Sequence, residues 1–221
     1  MQEFACEGVL FDLDGVLVDS TPAVARVWTI WARTHGFDPE DTVRRAHGRP
    51  SLSSIKELLP GGNHEEENRI VEQMEIKDLE GVVPLPGAME LLGTLPRELW
   101  AIVTSCTKRL AHARIHAAGL PAPKFLVTAN DIKIGKPDPE PYLKGAALLG
   151  LSATVCVVVE DAPAGIRAGK AAGARVLALQ TTERDELLRG AGADWIVKDC
   201  SAVTLDGSGK AGSMVLKVNF L

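Results

Sequence analysis

Short apolar runs that alternate with helix-like segments constrain the fold of this 221-residue chain more than any other feature of its sequence. Five runs rich in valine, isoleucine and leucine lie at residues 8–11, 99–103, 124–127, 155–159 and 175–179. Runs of this kind are typical of strands buried on both faces of a parallel sheet. Helical spacing, ended each time by a glycine, occurs between the later runs at residues 107–118, 139–149 and 162–172. We therefore predict an α/β fold with a Rossmann-like parallel sheet between helices.

A long segment after the first run lacks any strand-like stretch and interrupts this alternation. Its helical patterns lie at residues 22–35, 39–46, 51–59 and 64–79. The prolines and glycine of residues 82–87 suit a stiff hinge where the chain returns to the sheet. We predict a Rossmann-like catalytic core formed by residues 1–15 and 86–221, and an all-helical cap formed by residues 16–85. Near the C-terminus a loop-like stretch precedes residues 214–220, which could pair as an edge strand.

Bulk composition restricts the class of protein and its partners. The formal net charge of −5 and the hydrophobic fraction of 46% are ordinary for a globular protein, and they do not suggest a nucleic-acid partner. No run approaches the roughly 20 apolar residues that cross a bilayer, and no basic-then-apolar leader is evident. The four cysteines form no C-x-x-C pair, so we expect them to be reduced. We expect a cytoplasmic protein without a membrane partner, either a monomer or a weak homodimer.

Polar side chains follow the predicted strands at the points where those strands end. The first strand is followed by Asp12 and Asp14, the second by Thr104 and Ser105, and the fourth by Glu160 and Asp161, with Lys136 in a later loop. In an open α/β sheet, ligands bind beyond the carboxyl ends of the strands. We therefore expect these groups to share one cleft.

Four carboxylates in one cleft require a cation. Without one they would repel each other, and several would keep their protons. Magnesium prefers oxygen ligands and commonly bridges carboxylates to a substrate phosphate. We predict Mg²⁺ bound by the side chains of Asp12 and Asp161 and by the backbone carbonyl of Asp14. Glu160 either binds the ion directly or orients the other ligands.

Four ordered motifs carry a resemblance to a known superfamily. They are the run Asp-Leu-Asp-Gly-Val-Leu-Val-Asp-Ser that begins at Asp12, then Thr104-Ser105, Lys136-Pro137 and Glu160-Asp161. In this order, on alternating strands, they resemble the motifs of the haloacid dehalogenase superfamily. The helical insertion is similar to the small α-helical cap of that superfamily.

The resemblance implies catalysis through an aspartyl phosphate. Asp12 would attack phosphorus in line, and Asp14 would give a proton to the leaving alkoxide and later take one from water. Lys136 and Mg²⁺ would offset charge on the transferring group. The phosphoryl oxygens would be held by Thr104 and by the backbone amides near Leu13 and Ser105.

Finer resemblance points to one branch of the superfamily. Asp14 favours phosphoryl transfer, because the dehalogenases typically lack this second aspartate. Segments at residues 46–50, 118–123 and 159–165 are similar to sugar phosphatases, including 2-deoxyglucose-6-phosphate and glycerol phosphate phosphatases. The resemblance implies a Mg²⁺-dependent phosphatase acting on small monoesters, such as sugar or polyol phosphates. His47 and Arg49, on a cap loop, would bind substrate hydroxyls, although a packed cap histidine is an even alternative for His47.

Three other functions stay open. A sugar phosphate mutase of the same fold usually carries a histidine near the position of Val24, so this apolar residue disfavours a mutase without excluding it. A phosphonoacetaldehyde hydrolase would use a cap lysine as a Schiff base, and no lysine precedes Lys56. A non-catalytic sugar phosphate sensor is disfavoured because no catalytic position is substituted.

Overall fold

The computed structural model of this protein describes residues 2–46, 49–206 and 214–219. Its strands are β1 (Gln2–Cys6), β2 (Gly8–Phe11), β3 (Val18–Asp19), β4 (Val83–Pro84), β5 (Trp100–Val103), β6 (Leu126–Val127), β7 (Cys156–Glu160), β8 (Arg175–Leu179), β9 (Trp195–Val197), β10 (Val203–Asp206) and β11 (Met214–Val218). Its α-helices are α1 (Thr21–His35), α2 (Pro39–Ala46), α3 (Ser51–Leu58), α4 (His64–Lys77), α5 (Ala88–Thr94), α6 (Lys108–Ala117), α7 (Glu140–Leu148), α8 (Pro163–Ala171) and α9 (Asp185–Gly190). The five strands predicted from apolar runs are present as β2, β5, β6, β7 and β8.

A six-stranded sheet forms the centre of the core. Its strand order is β6-β5-β2-β7-β8-β9, and every neighbouring pair is parallel. Strand β2 occupies the middle, where Val9 lies opposite Trp100 of β5 and Val157 of β7. The residues that follow β2, β5 and β7 therefore emerge side by side at one edge of the sheet. The predicted α/β fold with a Rossmann-like parallel sheet is confirmed.

Both faces of this sheet are covered, which explains why its strands are almost continuously apolar. Val9 and Phe11 pack into the hydrophobic cluster on one face, whereas Leu10 packs into the cluster on the other. Helices α5 and α6 contribute to the first cluster, through residues such as Leu91 and Ile115. Helices α7, α8 and α9 contribute to the second cluster. Side chains that alternate along each strand thus fix the sheet between two helical layers.

The N-terminal strand β1 and the C-terminal strands β10 and β11 form a second, antiparallel sheet, in the order β1-β11-β10. The expected edge strand near the C-terminus is present as β11, but it lies in the middle of this sheet rather than at an edge. Phe4 of β1 is opposite Leu216, and Leu205 of β10 is opposite the same residue. Leu216 and Val218 of β11 are buried in the first hydrophobic cluster, which is consistent with the central position of this strand.

Helices α1 to α4, which we call the cap, lie within residues 16–85, the segment for which an all-helical insertion is predicted. Their buried side chains make a cluster of their own, composed of Val27, Trp28, Trp31, Ala46, Ile55, Leu58 and Val71. The prediction that residues 16–85 contain no strand was wrong. Val18 pairs with Pro84 and Asp19 with Val83, so β3 and β4 form a short antiparallel ribbon where the chain leaves the core and returns.

All four cysteines are free: Cys6, Cys106, Cys156 and Cys200. Among the helices within residues 2–46, 49–206 and 214–219, none combines the length and apolar character that a membrane span requires.

Candidate active site

A cleft of about 500 Å³ lies between the carboxyl edge of the parallel sheet and the cap. The core lines it with the residues predicted from the strand ends, namely Asp12, Asp14, Thr104, Ser105, Lys136, Glu160 and Asp161. The cap lines it with Val24, Trp28, Arg49, Ser51, Ser53, Asn68, Glu72 and Glu75. Residues from both parts of the chain thus enclose one site.

Lys136 occupies the floor of this cleft. Its Nζ atom donates to Oδ1 of Asp12 at 2.8 Å and to Oε1 of Glu160 at 2.7 Å. Burial alone would lower the pKa of Lys136, but the carboxylates of Asp12 and Glu160 outweigh it and raise the pKa. The side chain therefore stays an ammonium ion despite being only 7% exposed.

Glu160 is fixed by hydrogen bonds on both carboxylate oxygens. Besides Lys136, Oε1 accepts from the hydroxyl of Tyr142 at 2.7 Å. Oε2 accepts from the backbone amides of Asp161 and Ala162, at 3.0 and 3.2 Å. This bonding suits a residue that orients Lys136 more than one that gives its oxygens to a metal ion.

Three carboxylates nevertheless lie close together, and Lys136 contacts two of them, Asp12 and Glu160. Asp12, Glu160 and Asp161 each place an oxygen within 4.8 Å of the others. Burial and then the neighbouring carboxylate of Glu160 raise the pKa of Asp161 well above its ordinary value. Burial also raises the pKa of Asp12, against the opposing effect of Lys136. Excess negative charge on oxygen ligands is the chemistry that Mg²⁺ fits, so these residues fit the predicted ion.

The turn after β2 brings Asp161 close to the first motif. Gly15 has a φ of 80°, and a Cβ atom there would lie 2.1 Å from Oδ2 of Asp161. Thr182 donates its hydroxyl proton to the same oxygen. A glycine is therefore required at residue 15 for the Asp161 carboxylate to occupy this position.

Asp14 lies in the wall of the cleft and is held by three side chains. Its Oδ1 accepts from the hydroxyl of Ser20 at 2.6 Å. Its Oδ2 pairs with Nη1 of Arg114 at 2.9 Å and accepts from the thiol of Cys106 at 3.1 Å. The carboxyl group remains 26% exposed, so it can still meet a ligand in the cleft.

The expected phosphoryl-binding residues line or adjoin the same region. Thr104 is buried, and its Oγ1 accepts from the backbone amide of Cys106 at 3.1 Å. Ser105 follows it in the cleft lining. The side chain of Leu13 is fully buried in the first hydrophobic cluster, so only its backbone can serve a ligand. Helix α6 is capped by Thr107, whose Oγ1 accepts from the amide of Leu110.

Of the two cap residues expected to bind substrate, the structure describes only Arg49. Arg49 reaches the cleft, but its Nη1 lies 2.7 Å from Oε2 of Glu57, so its guanidinium is engaged within the cap. His47 lies outside the described residues, and its role stays a prediction.

A family model described as haloacid dehalogenase-like hydrolase matches residues 6–173. The chain belongs to this family. The superfamily predicted from the four motifs is thereby confirmed.

Similar proteins place this haloacid dehalogenase-like hydrolase more finely. It is 49% identical to hexitol phosphatase A of Escherichia coli over 179 residues, which is 79% of this chain and 83% of the relative. It is 39% identical to glycerol-1-phosphate phosphohydrolase 2 of Saccharomyces cerevisiae, covering 90% of this chain and 84% of the relative. The crystal structure of a hydrolase from Pseudomonas syringae superposes with a TM-score of 0.75 at 27% identity, covering 87% and 93% of the two chains. These similarities confirm the sugar phosphatase branch and the predicted enzyme class, a phosphoric monoester hydrolase.

Several residues that complete the site of this hydrolase were not predicted. Ser20 ends the first motif and was close enough to Asp14 in sequence to be considered as its partner. Tyr142 and Arg114 lie inside helices, where no local pattern distinguishes them from ordinary helix residues. Their partners, Glu160 and Asp14, are distant in sequence, so only the packed fold reveals the contacts.

Proposed function

We propose that this hydrolase is a Mg²⁺-dependent phosphatase of sugar or polyol phosphates that works through an aspartyl phosphate on Asp12. The carrying observation is the position of Asp12 at the floor of an enclosed cleft, 2.8 Å from the Lys136 ammonium and two residues from Asp14. A carboxylate beside a fixed cation is suited to attack a phosphoryl group, whose negative charge the cation offsets.

In the first step, one carboxylate oxygen of Asp12 forms a bond to phosphorus while the bond from phosphorus to the ester oxygen breaks. Asp14, which takes up a proton from solvent before this step, gives that proton to the ester oxygen, which leaves as an alcohol. Lys136 faces the region where negative charge develops, and Glu160 and Tyr142 keep it there. Positioning and electrostatic stabilisation therefore carry most of this step.

In the second step, water attacks the phosphorus of the aspartyl phosphate. Asp14, now a carboxylate, takes a proton from this water, and the bond between phosphorus and the Asp12 oxygen breaks. Inorganic phosphate leaves, and both aspartates regain their starting states. The same residue serves as acid and then as base, as microscopic reversibility requires.

Magnesium would be held by the side chains of Asp12 and Asp161 and by the backbone carbonyl of Asp14, with Glu160 supporting them. A bound Mg²⁺ ion offsets negative charge on the carboxylates and on the phosphoryl oxygens. Thr182 orients Asp161 by donating to its Oδ2, so that residue is presented to the cluster in one orientation.

The cap wall supports a neutral, hydroxyl-rich alcohol as the leaving group. Ser51 donates to the side-chain oxygen of Asn68 at 2.6 Å, and Ser53 and Glu72 line the same wall. Hydroxyl, amide and carboxylate groups can exchange hydrogen bonds with the hydroxyls of a polyol. The carboxylate of Glu72 would repel a second anionic group. By their names, two of the relatives act on phosphates of polyols, hexitols and glycerol, which supports the same substrate class.

Val24 supports hydrolysis over isomerisation. It lines the cleft near the place where a sugar phosphate mutase usually carries a histidine. We further propose that the enzyme acts in the cytoplasm as a monomer or weak homodimer, and that it binds a small phosphorylated metabolite and neither nucleic acid nor a membrane.

A substrate panel tests the proposal. Phosphate release should be measured with glycerol 1-phosphate, hexitol phosphates, 2-deoxyglucose 6-phosphate, fructose 1,6-bisphosphate and p-nitrophenyl phosphate, each with MgCl₂ or with EDTA. We expect Mg²⁺-dependent release, fastest from the neutral polyol esters and slowest from the bisphosphate. Release from no ester in the panel would overturn the phosphatase proposal. Conversion of a hexose 1-phosphate to its isomer without free phosphate would favour the mutase, and binding without turnover would favour the sensor.

A further inference from the structure

Arg114 is a buried cation at the boundary between the core and the cap. It lies on helix α6, and its side chain is only 6% exposed. Its Nη1 atom is 2.9 Å from Oδ2 of Asp14, and its Nη2 atom is 3.4 Å from Oε2 of Glu75 on cap helix α4. One planar guanidinium thus touches the core acid and the cap at the same time.

The charges in this arrangement are fixed by their neighbours. Burial alone would lower the pKa of Arg114, but the nearby acids, Asp14 first, outweigh it and raise the pKa, so the guanidinium is always charged. Burying a charge is costly unless it is paired with good geometry. The rigid fork of arginine meets two carboxylates at once, whereas a lysine ammonium is a single point charge on a flexible stem.

At the core end, Arg114 restricts how the Asp14 carboxyl group can turn. Arg114 holds Oδ2, and the hydroxyl of Ser20 holds Oδ1 at 2.6 Å. Together these contacts fix the plane of the group. A general acid must be held close to its productive geometry, since small displacements cost large factors in rate.

At the cap end, the contact exists only while helix α4 rests on helix α6. The side chain of Glu75 is only 8% exposed, because it lies on the side of α4 that faces Arg114. One turn earlier on α4, Glu72 accepts a hydrogen bond from Thr107, the residue that caps α6. Two acids of helix α4 therefore contact the α6 region: Glu75 pairs with Arg114, and Glu72 pairs with Thr107 at the N-terminus of α6.

We propose that Arg114 is a positioning residue that couples closure of the cap to the orientation of Asp14, an inference that rests on the proposed function of Asp14 as general acid. With the cap closed, Glu75 holds the guanidinium and the guanidinium holds Asp14. When α4 lifts away, the cap half of this link is lost and Asp14 gains freedom to turn. Proton delivery is thereby favoured when the alcohol is enclosed.

Leaving-group dependence separates this role from a merely structural one. An alkoxide leaving group needs a proton from Asp14, whereas p-nitrophenolate is stable enough to leave without one. Loss of a positioning residue should therefore slow alkyl esters much more than the aryl ester. Loss of a residue that only holds the cap should slow both by the same factor.

The experiment compares kcat/KM for the fastest alkyl ester of the panel with that for p-nitrophenyl phosphate. For Arg114→Gln we expect a loss of about 100-fold or more on the alkyl ester, the range of general acid catalysis, and less than about tenfold on the aryl ester. Arg114→Lys keeps the charge without the fork and should give a smaller change in the same direction. It also serves if Arg114→Gln does not fold. Equal losses on both esters in either folded variant would overturn the inference.

Glu75→Gln tests the link to the cap. It should shift the alkyl-to-aryl ratio in the same direction as Arg114→Gln, but less, because Arg114 keeps its contact with Asp14. An unchanged ratio would overturn the coupling to the cap. Arg69→Gln is the matched control, since Arg69 lies on the same helix and pairs with Glu66 at the exposed surface. A wild-type enzyme that hydrolyses no alkyl ester would instead overturn the proposed function itself.

Discussion

Lys136 and Asp12, 124 positions apart in the chain, meet through a 2.8 Å contact between Nζ and Oδ1 at the floor of the cleft. The lysine arrives on a loop after β6 and the aspartate directly follows the central strand β2. The local sequence around either residue does not determine that the two side chains meet. The contact depends on the strand order of the sheet, so the integrity of the fold and the charge balance of the site depend on each other.

Replacement of Lys136 should cost stability as well as activity. In Lys136→Met, the carboxylates of Asp12 and Glu160 lose their shared cation, and breaking a buried pair costs about 3–5 kcal/mol of the free energy of unfolding. Urea unfolding in EDTA measures this loss, and MgCl₂ should restore part of it. Lys170→Met is the control, because Lys170 pairs with Asp194 at the surface, where about 0–1 kcal/mol is expected. Equal losses in the two variants would contradict the buried-charge argument.

Asp12→Asn should remove turnover and leave the fold intact. The amide has nearly the same shape but is not a nucleophile, so kcat should fall by at least about 10³-fold. Phosphate release in the presence of MgCl₂ measures kcat, and circular dichroism checks the fold. A folded variant with wild-type turnover would show that Asp12 is not the nucleophile.

The metal-free protein should lose stability as the pH rises from about 4 to about 7. Burial raises the pKa of Asp12 to about 7 from its ordinary 3.8, with Lys136 opposing and Glu160 reinforcing the shift. Within this window the folded protein binds more protons than the unfolded chain, so the free energy of unfolding falls with rising pH. Urea unfolding at several pH values in EDTA should show a steeper fall for the wild type than for Asp12→Asn. With MgCl₂, which binds the ionised carboxylates, the fall should be shallower, and an identical slope in both proteins would contradict the assignment.

Gly165 should not tolerate even one added methyl group. A Cβ atom at this position in α8 would lie 1.6 Å from Oε1 of Glu160, the oxygen that holds Lys136. Gly165→Ala should therefore cost about 1–3 kcal/mol by overpacking. It should also lower kcat on the order of 100-fold by displacing Lys136. Thermal unfolding and phosphate release measure the two effects.

Gly93→Ala is the matched control for that substitution. Gly93 is also helical, and a Cβ atom there meets nothing within 4 Å. Alanine should raise the free energy of unfolding by about 0.5–1 kcal/mol through its better helix propensity, with activity unchanged. If Gly165→Ala behaved like Gly93→Ala, the close approach of Glu160 would not limit that position.

Sequence patterns predicted the parallel sheet and most of the carboxylate site because both depend on local signals. Apolar runs mark buried strands, and strand ends mark the cleft, so Asp12, Glu160 and Asp161 could be placed together before the fold was known. The strand β11 was expected at an edge of a sheet, but it lies between β1 and β10. The sequence of a strand does not encode its pairing partners locally, so this central position could not be predicted. Arg114 was missed for the same reason. Its contacts with Asp14 and with Glu75 of helix α4 join residues that are distant in sequence and that only the packed fold brings together.

The separate hydrophobic cluster of the cap has a consequence for how such enzymes diverge. Within the described part of the chain, the cap cluster around Trp28, Trp31 and Ile55 shares no residue with the two clusters that hold the sheet. Drift in the cap interior can therefore reshape the wall that meets the alcohol without moving the strands that carry Asp12 and Asp161. Substitutions that reshape the cap interior and substitutions that would move these strands therefore fall in different hydrophobic clusters. A lineage can thus acquire a new substrate while its reaction chemistry stays the same.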